Sequence, residues 1–407
     1  FTGYKDIQSS SVSVYVYNAS VYFTNSEGTE TRVPVSLAAV RINAMAQAED
    51  GEPLNDHLLY YGVTPDDLPA IEKISAEVKD MAESMNKLRS APVFEDNYSG
   101  PILFEGQAAM EVYAQKFLAG GTGLISTRKP VYSDTRAAMG LSQMMGESLD
   151  EKMDKKVVSE NMTVKARPKL KKFGQTNLIG SYEIDAEGVL PPDEVMLVEK
   201  GILKTMLSDR VPTKKVGESN GHSRFVISGQ GIQSSVGPGV IEIDYKNPVK
   251  SSELKKQLIE AAKEEGLDYA IIVKKITTTN SGIDQKFDPA AIASLVTSSD
   301  KNAPLTKPIY VYKVNLKDGS ETLIRSSQIG GLSVNALKKT LGASSVKAVY
   351  NTMLTQSSGG MGGFFTIILG SVSGLMGMSG IPASIIAPDG IIINELELKK
   401  QIGRAHV

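Results

Sequence analysis

The chain has 407 residues, room for two or three domains and a substantial core, so disorder along its whole length is excluded. Its 44 Lys and Arg against 46 Asp and Glu leave a net charge of −2, too weak a field to hold a phosphate backbone or an anionic membrane. With no Cys and three His, disulfides, thiolate zinc sites, iron–sulfur clusters and cysteine nucleophiles are excluded, and any metal site would depend mainly on carboxylates.

The sequence opens at Phe1 inside what reads as folded chain, so an upstream region is expected, with or without a signal peptide. The compartment stays open on this reading: cytoplasmic, or periplasmic if a signal peptide precedes Phe1. Ile402–Val407 follows a charged strand abruptly and reads as a non-native tail, which sets His406 aside and leaves His57 and His222. No window reaches the roughly 18 apolar residues of a membrane span. The nearest, Phe364 to Met378, is broken by Gly and Ser and reads as buried strand and glycine-rich loop.

In chain order, Val12, Val14 and Val16 alternate with Ser and Tyr, and extended character resumes from Val33 to Ala46 after Asn25–Glu30. Gly28 in that turn predicts a β-hairpin. Glu49 to Asn55 reads as a polar loop around Asp50-Gly51, with His57 near a turn and its imidazole solvated or locally hydrogen-bonded. Leu68, Ile71, Ile74, Val78, Met81, Met85 and Leu88 recur at three and four, which predicts a helix between Pro65 and Pro92.

Pro101 to Phe104 reads as a strand feeding a helix from Glu105 to Leu118, stopped by Gly120-Gly121. Hairpins are predicted at Val195–Glu199 with Ile202–Leu207, about Lys200-Gly201, and at Ile309–Leu316 with Glu321–Ile324. An amphipathic helix spans Glu253 to Glu265 and leads to a buried strand, Tyr269 to Ile276. A further helix is predicted over Ser333 to Leu341, and last strands at Ser384–Ala387 and Ile391–Leu398. Strands outnumber helices, so the class is α+β with an antiparallel, barrel-like core.

The search for chemistry is largely negative. Two His on one helical face beside a Glu, the zinc-peptidase arrangement, do not occur. No Gly-x-Ser-x-Gly elbow stands between a strand and a helix, and Gly359–Gly363 lacks the Lys-Ser/Thr that grips phosphate. Lys165, Arg167, Lys169, Lys171 and Lys172 read as a solvated strand face. Ser219–Arg224 is a polar loop ahead of a strand at Phe225–Ile227, where either a plain turn or a ligand-binding loop fits.

Several segments carry a resemblance. Gly100–Ala109, Gly188, Val198–Lys204, Ser219–His222 and Ile381–Pro388 follow one another as in the TldD/PmbA family, once labelled a modulator of DNA gyrase and now classed as metallopeptidase. Asn25–Glu30 is similar to the end of that family's N-terminal domain. The resemblance implies the end of an N-terminal α/β domain at 1–48, a helical connecting region at 49–98, and a β-rich C-terminal domain at 99–401, ahead of the 402–407 tail. It also implies a homodimer, or a heterodimer with a family member, enclosing a cavity where unfolded peptide is cut. From the position of the polar loop, Asn220, Gly221, His222 and Arg224 are the peptide-binding candidates. Neither a nucleic-acid partner nor a membrane span is expected.

In the family's catalytic member a His-Glu-x-x-x-His helix and a later Cys hold zinc. Carried over residue by residue, that motif falls on Phe104 to Ala109, where only Glu105 survives, and the Cys has no counterpart. One carboxylate cannot replace two imidazoles and a thiolate, so no metal ligand and no cofactor is assigned. Either the chain is a non-catalytic scaffold subunit of a peptidase heterodimer, like the PmbA (TldE) partner, or catalysis uses other residues. Glu105 is the one catalytic candidate, with capping of the helix N-terminus as its alternative role.

Overall fold

A computed structural model describes residues 3–118, 124–126, 149–213, 215–228, 231–278, 307–354 and 380–400. The Gly120-Gly121 stop, the Gly359–Gly363 and Phe364–Met378 segments and the Ile402–Val407 tail lie outside the described residues.

The first sheet is the predicted hairpin plus one strand. β1 (Ile7–Thr24) and β2 (Glu30–Gln47) pair antiparallel from Ile7↔Ala46 to Thr24↔Glu30. Asn25 closes the turn by accepting from the Glu27 and Thr29 backbone N–H groups, and Gly28 takes the positive φ of 87° that an L side chain resists. Asp50-Gly51 turns the chain as expected, but the polar stretch is no loop. β3 (Pro53–Gly62) starts there and pairs with β2. His57 is therefore a buried strand residue at 2% exposure, not a solvated turn residue, because its polar surroundings come from distant strands. Helix α1 (Ile71–Arg89) lays Ile74, Met81, Met85 and Leu88 on Val40, Ile42 and Ala44 of β2, as the periodicity predicts.

The rest of the chain builds two larger sheets. One is seven-stranded and holds β4 (Asn97–Glu105), β13 (Tyr269–Ile276), β14 (Pro308–Asn315), β15 (Glu321–Ile324), β16 (Ser327–Gly330), β17 (Thr340–Ala343) and β20 (Gly390–Lys400). The other is six-stranded and holds β5 (Met162–Ala166), β8 (Val195–Glu199), β9 (Ile202–Leu203), β12 (Val240–Tyr245), β18 (Lys347–Leu354) and β19 (Ile381–Pro388). Two small hairpins complete the pairing: β6 (Lys172–Phe173) with β7 (Thr176–Asn177), and β10 (Ser223–Ser228) with β11 (Gly231–Val236), the latter bridged from Ile227 to Gly380 beside β19. Pairing is antiparallel except for β4 with β13 and β12 with β19. The fold is mixed α+β and strand-rich, with a curled, half-barrel sheet.

Side-chain alternation explains why both faces of the seven-stranded sheet are apolar. Ile102, Phe104, Ile271 and Val273 face the large core shared with Val164, Leu197, Ile241 and Ile385 of the other sheet. Leu103, Ile272, Val314 and Ile392 face the opposite way, onto Leu254, Leu258 and Ala262 of helix α3 (Ser251–Glu264). Helix α2 (Gln107–Tyr113) sits inside the large core and is buried from Ala108 to Tyr113, continuing into one π-turn over Ala114–Leu118.

Two sequence expectations change. The strand after Lys200-Gly201 stops at Leu203 rather than Leu207, since Lys204 turns back to donate to Leu197 O. Ser333–Leu341 is a 3-10 turn over Val334–Lys339 followed by β17, whose residues Thr340 to Ala343 bond to β20 and leave no room for more helix. The last two strands form as expected, and across Asp389 the chain leaves the six-stranded sheet and enters the seven-stranded one.

Candidate functional site

Two places carry the sequence candidates: the β4–α2 junction with Glu105, and the Ser219–Arg224 loop.

At the junction, Glu105 ends β4 and Gly106 is the N-cap of α2, with a φ of 56° and no side-chain capping bond. Capping by Glu105 is therefore not its role. Gly106 N–H bonds instead to Asp389 O at 2.7 Å, which ties the helix start to the crossover between sheets. The Glu105 carboxyl is raised above the usual range, first by burial and secondarily by the Glu321 charge, while Lys274 and Lys255 oppose that rise. Those two lysines already hold Glu321, Lys274 at 2.7 Å and Lys255 at 2.6 Å.

Phe104 and Ala109, on either side, are wholly buried in the large core. A divalent cation here would meet one carboxylate, two nearby ammonium groups and hydrocarbon. The donor set at this junction does not fit the zinc that the resemblance implies. Among the described residues no group of three His, Asp or Glu side chains is gathered closely enough to hold a metal.

The Ser219–Arg224 loop is built inward. Asn220 Oδ1 accepts from Ser208 N–H at 2.9 Å and its Nδ2 donates to Met206 O at 2.8 Å, so the loop is pinned to the chain beyond β9. Gly221 adopts a φ of 72°, and a Cβ there would lie 2.8 Å from Pro191 Cα, which makes glycine the residue that fits. Tyr182 donates its hydroxyl hydrogen to Gly221 O at 2.6 Å.

His222 Nδ1 lies 2.9 Å from the Asn220 backbone oxygen, which can only accept. Nδ1 therefore carries the hydrogen and Nε2 presents a lone pair. That Nε2 is buried and has no hydrogen-bond partner among the described residues. Burial, aided by the Arg224 charge, pushes the imidazole down to about 3 against the bond to Asn220, so the ring is neutral.

Arg224 stacks its guanidinium 3.6 Å from the centre of the Tyr182 ring, whose other contact is the edge of the His222 ring at 6.1 Å. Its Nη2 donates to Gly180 O at 3.3 Å, while its Nε–H is buried and unpartnered. Burial lowers its pKa, and Tyr182 and Asp185 counter that. Asp185 is itself fixed by the backbone N–H groups of Glu187, Val189 and Ser223. The two side chains that contact the Tyr182 ring thus each leave a buried polar atom unpaired, an acceptor on His222 and a donor on Arg224.

A third cluster escaped the sequence. Glu111 of α2 is buried, accepts from Gln115 Nε2 at 2.5 Å and from the Tyr350 hydroxyl, and has its carboxyl pushed up to about 7 by burial. The periodicity assigns α2 one apolar face, whereas the helix is enclosed all round. A Glu within such a run was the available signal. Four of the five basic residues from Lys165 to Lys172 are paired at the surface: Lys165 meets Glu194, Arg167 meets Glu242, Lys169 meets Asp193 and Lys171 meets Glu183.

Residues 130–282 match the family profile described as PmbA/TldA metallopeptidase C-terminal domain, a span that includes the whole Tyr182–Arg224 site. Over that span the chain resembles the TldD/PmbA family. It is similar to a protein named metalloprotease from Methanothermobacter thermautotrophicus, 37% identical over 91 residues, which are 22% of this chain and 18% of that one. Among solved structures it resembles TldE from Thermococcus kodakarensis, with a TM-score of 0.54 and 14% identity over 93% of this chain and 66% of that one. It also resembles a Thermotoga maritima protein labelled a modulator of DNA gyrase, with a TM-score of 0.55 and 16% identity over the same shares. At these identities the structures speak for the TldD/PmbA fold alone. The chain spans about two thirds of the length of those structures and under a fifth of the curated relative. No helix of the described residues is long and apolar enough to cross a membrane.

Proposed function

We propose that this TldD/PmbA-family chain binds extended, unfolded polypeptide and takes part in its proteolysis or processing without holding a zinc ion of its own. The observation that carries the reading is the unmatched pair on Tyr182. Unsatisfied buried polar groups are costly, typically about 1–3 kcal/mol each, and here they are complementary. The Arg224 Nε–H is a donor and His222 Nε2 an acceptor, and both are orphaned. A peptide unit offers the converse pair, a carbonyl oxygen and an N–H. Since these atoms are enclosed, engagement goes with the Asn220–His222 turn lifting from Pro191.

The test is anisotropy of a labelled unstructured peptide. His222→Ala and Arg224→Met should each weaken binding with folding intact, and unchanged affinity in both would overturn the assignment. Zinc content of the purified protein should be well below one per chain, and a stoichiometric value would end the zinc-free reading. Glu105→Gln should leave any peptide cleavage unchanged; its loss in a folded variant would make Glu105 catalytic.

The burial of Phe104 and Ala109 at the motif position favours a second reading, a scaffold subunit of a peptidase heterodimer. On that reading the chain alone cleaves nothing, and cleavage appears when a homologue with an intact His-Glu-x-x-x-His is added.

A further inference from the structure

We propose that Arg41 anchors a second recognition site, on the face of the first sheet turned away from α1, which takes the free α-carboxylate of a peptide's last residue. Alternate residues of a strand share one face. Val40, Ile42 and Ala44 go to α1, so Arg41 and Asn43 of β2 point the other way, together with Tyr15 of β1 and His57 and Tyr61 of β3. The register sets three adjoining rows: Tyr15↔Ala39↔Tyr61, Ser13↔Arg41↔Leu59 and Ser11↔Asn43↔His57.

Four polar atoms on this face are buried without a hydrogen-bond partner: Arg41 Nε, Asn43 Oδ1, His57 Nδ1 and the Tyr61 hydroxyl. Arg41 donates through Nη2 to the Tyr15 hydroxyl at 3.0 Å and lies 5.7 Å from the centre of that ring, but no carboxylate among the described residues pairs with it. A cation taken out of water is normally matched by an anion. Glu111, whose charge reaches Tyr61, is already engaged, since Gln115 and Tyr350 donate to its two oxygens.

The unfilled atoms choose the ligand. Burial raises the Tyr61 phenol, with the Arg41 charge opposing, so Tyr61 keeps its hydrogen and donates. The Arg41 Nε–H and Tyr61 O–H are thus two free donors in adjoining rows beside a fixed positive charge, the set that a carboxylate takes. In the row on the other side of Arg41, Asn43 Oδ1 is a free acceptor, and His57 Nδ1 opposite it bonds either way according to tautomer. A peptide's last residue offers that combination: two carboxylate oxygens and, one step back, a backbone N–H. Past Asn43 and His57 the face reaches solvent, where Ser11 is exposed and Met45 stands 37% exposed, so a chain end enters from there.

This inference goes beyond the His222 reading. It is read as a preference for acid over amide, which that loop does not require, so either can fail alone. Isothermal titration calorimetry of the whole chain with acetyl-Ala-Ala should show the free acid binding about tenfold tighter than its C-terminal amide, as one charge-assisted pair gives. Arg41→Gln should abolish that preference and Arg41→Lys should retain part of it. Tyr61→Phe removes one oxygen and opens no cavity, and should weaken the acid about fivefold without touching the amide. No binding of the acid, equal affinities for acid and amide, a preference that survives Arg41→Gln, or an unweakened acid in Tyr61→Phe would each overturn the proposal.

Discussion

Tyr310 of β14 donates its phenolic hydrogen to Asp56 Oδ2 of β3 at 2.6 Å, while Asp56 Oδ1 holds Lys275 Nζ of β13 at the same distance. Asp56 is fully buried, so this carboxylate is a buried charged link between the three-stranded and seven-stranded sheets. Breaking such a pair strands an uncompensated ammonium. Asp56→Ala should destabilise the fold by about 3–5 kcal/mol, read as a lower urea midpoint. Asp56→Leu with Lys275→Met removes both charges and should recover most of that loss.

Glu111 makes stability depend on pH in the direction opposite to a salt-bridged carboxylate. Its folded pKa is near 7, against about 4.3 for a free side chain. Below pH 4 both states hold the proton and nothing is lost. As pH rises toward 7 the unfolded chain gives up its proton first, so stability falls, by up to about 3 kcal/mol. Glu111→Gln should flatten that slope in thermal melts between pH 4.5 and 7.5. An unchanged slope would mean that Glu111 is ionised throughout.

How much of this was legible can be argued from particular segments. The β1–β2 hairpin, α1 and α3 announce themselves because their partners are sequence neighbours or their apolar rows have one period. β3 does not, because Asn55-Asp56-His57 is polar in sequence and becomes core through Lys275 and Tyr310, more than 200 residues away. The His222 loop could be located by its composition, but not its inward aim, which depends on Tyr182 and Gly180. The apolar runs Ser384–Ala387 and Ile391–Leu398 were recognisable as strands. Their separation into two sheets at Asp389 follows from β4 and β12 claiming different neighbours, a long-range choice that no local pattern encodes.

Both described histidines are buried and neutral, and each pKa is pushed down to about 3, chiefly by burial. In the unfolded chain they titrate near 6.5. As pH falls from about 6.5 toward 3, the unfolded state takes up protons that the folded state refuses, so both residues make stability fall with acidity. His57→Gln and His222→Gln should each reduce this acid sensitivity. In the wild type, the imidazole carbon-bound proton resonances of both should stay unshifted through pH 5. A shift centred near 6.5 would show the ring reaching solvent.

Gly180 supports the candidate site through a close backbone approach. A Cβ on it would lie 2.3 Å from Gly239 O and 2.7 Å from Ser384 N, and backbone cannot yield as a flexible side chain would. The same residue donates its N–H to Ser384 Oγ at 3.0 Å and accepts Arg224 Nη2 through its carbonyl. Gly180→Ala should therefore destabilise by about 1–3 kcal/mol, the usual cost of overpacking, and should also weaken peptide binding by shifting the Arg224 guanidinium off Tyr182. Gly217 is the control: nothing lies within 4 Å of a Cβ there and its φ is not positive, so Gly217→Ala should be neutral or slightly stabilising. Differential scanning calorimetry of both variants, with the anisotropy titration run alongside, separates the effects. Equal melting temperatures for the two would show that the Gly180–Gly239 contact is looser than its geometry requires.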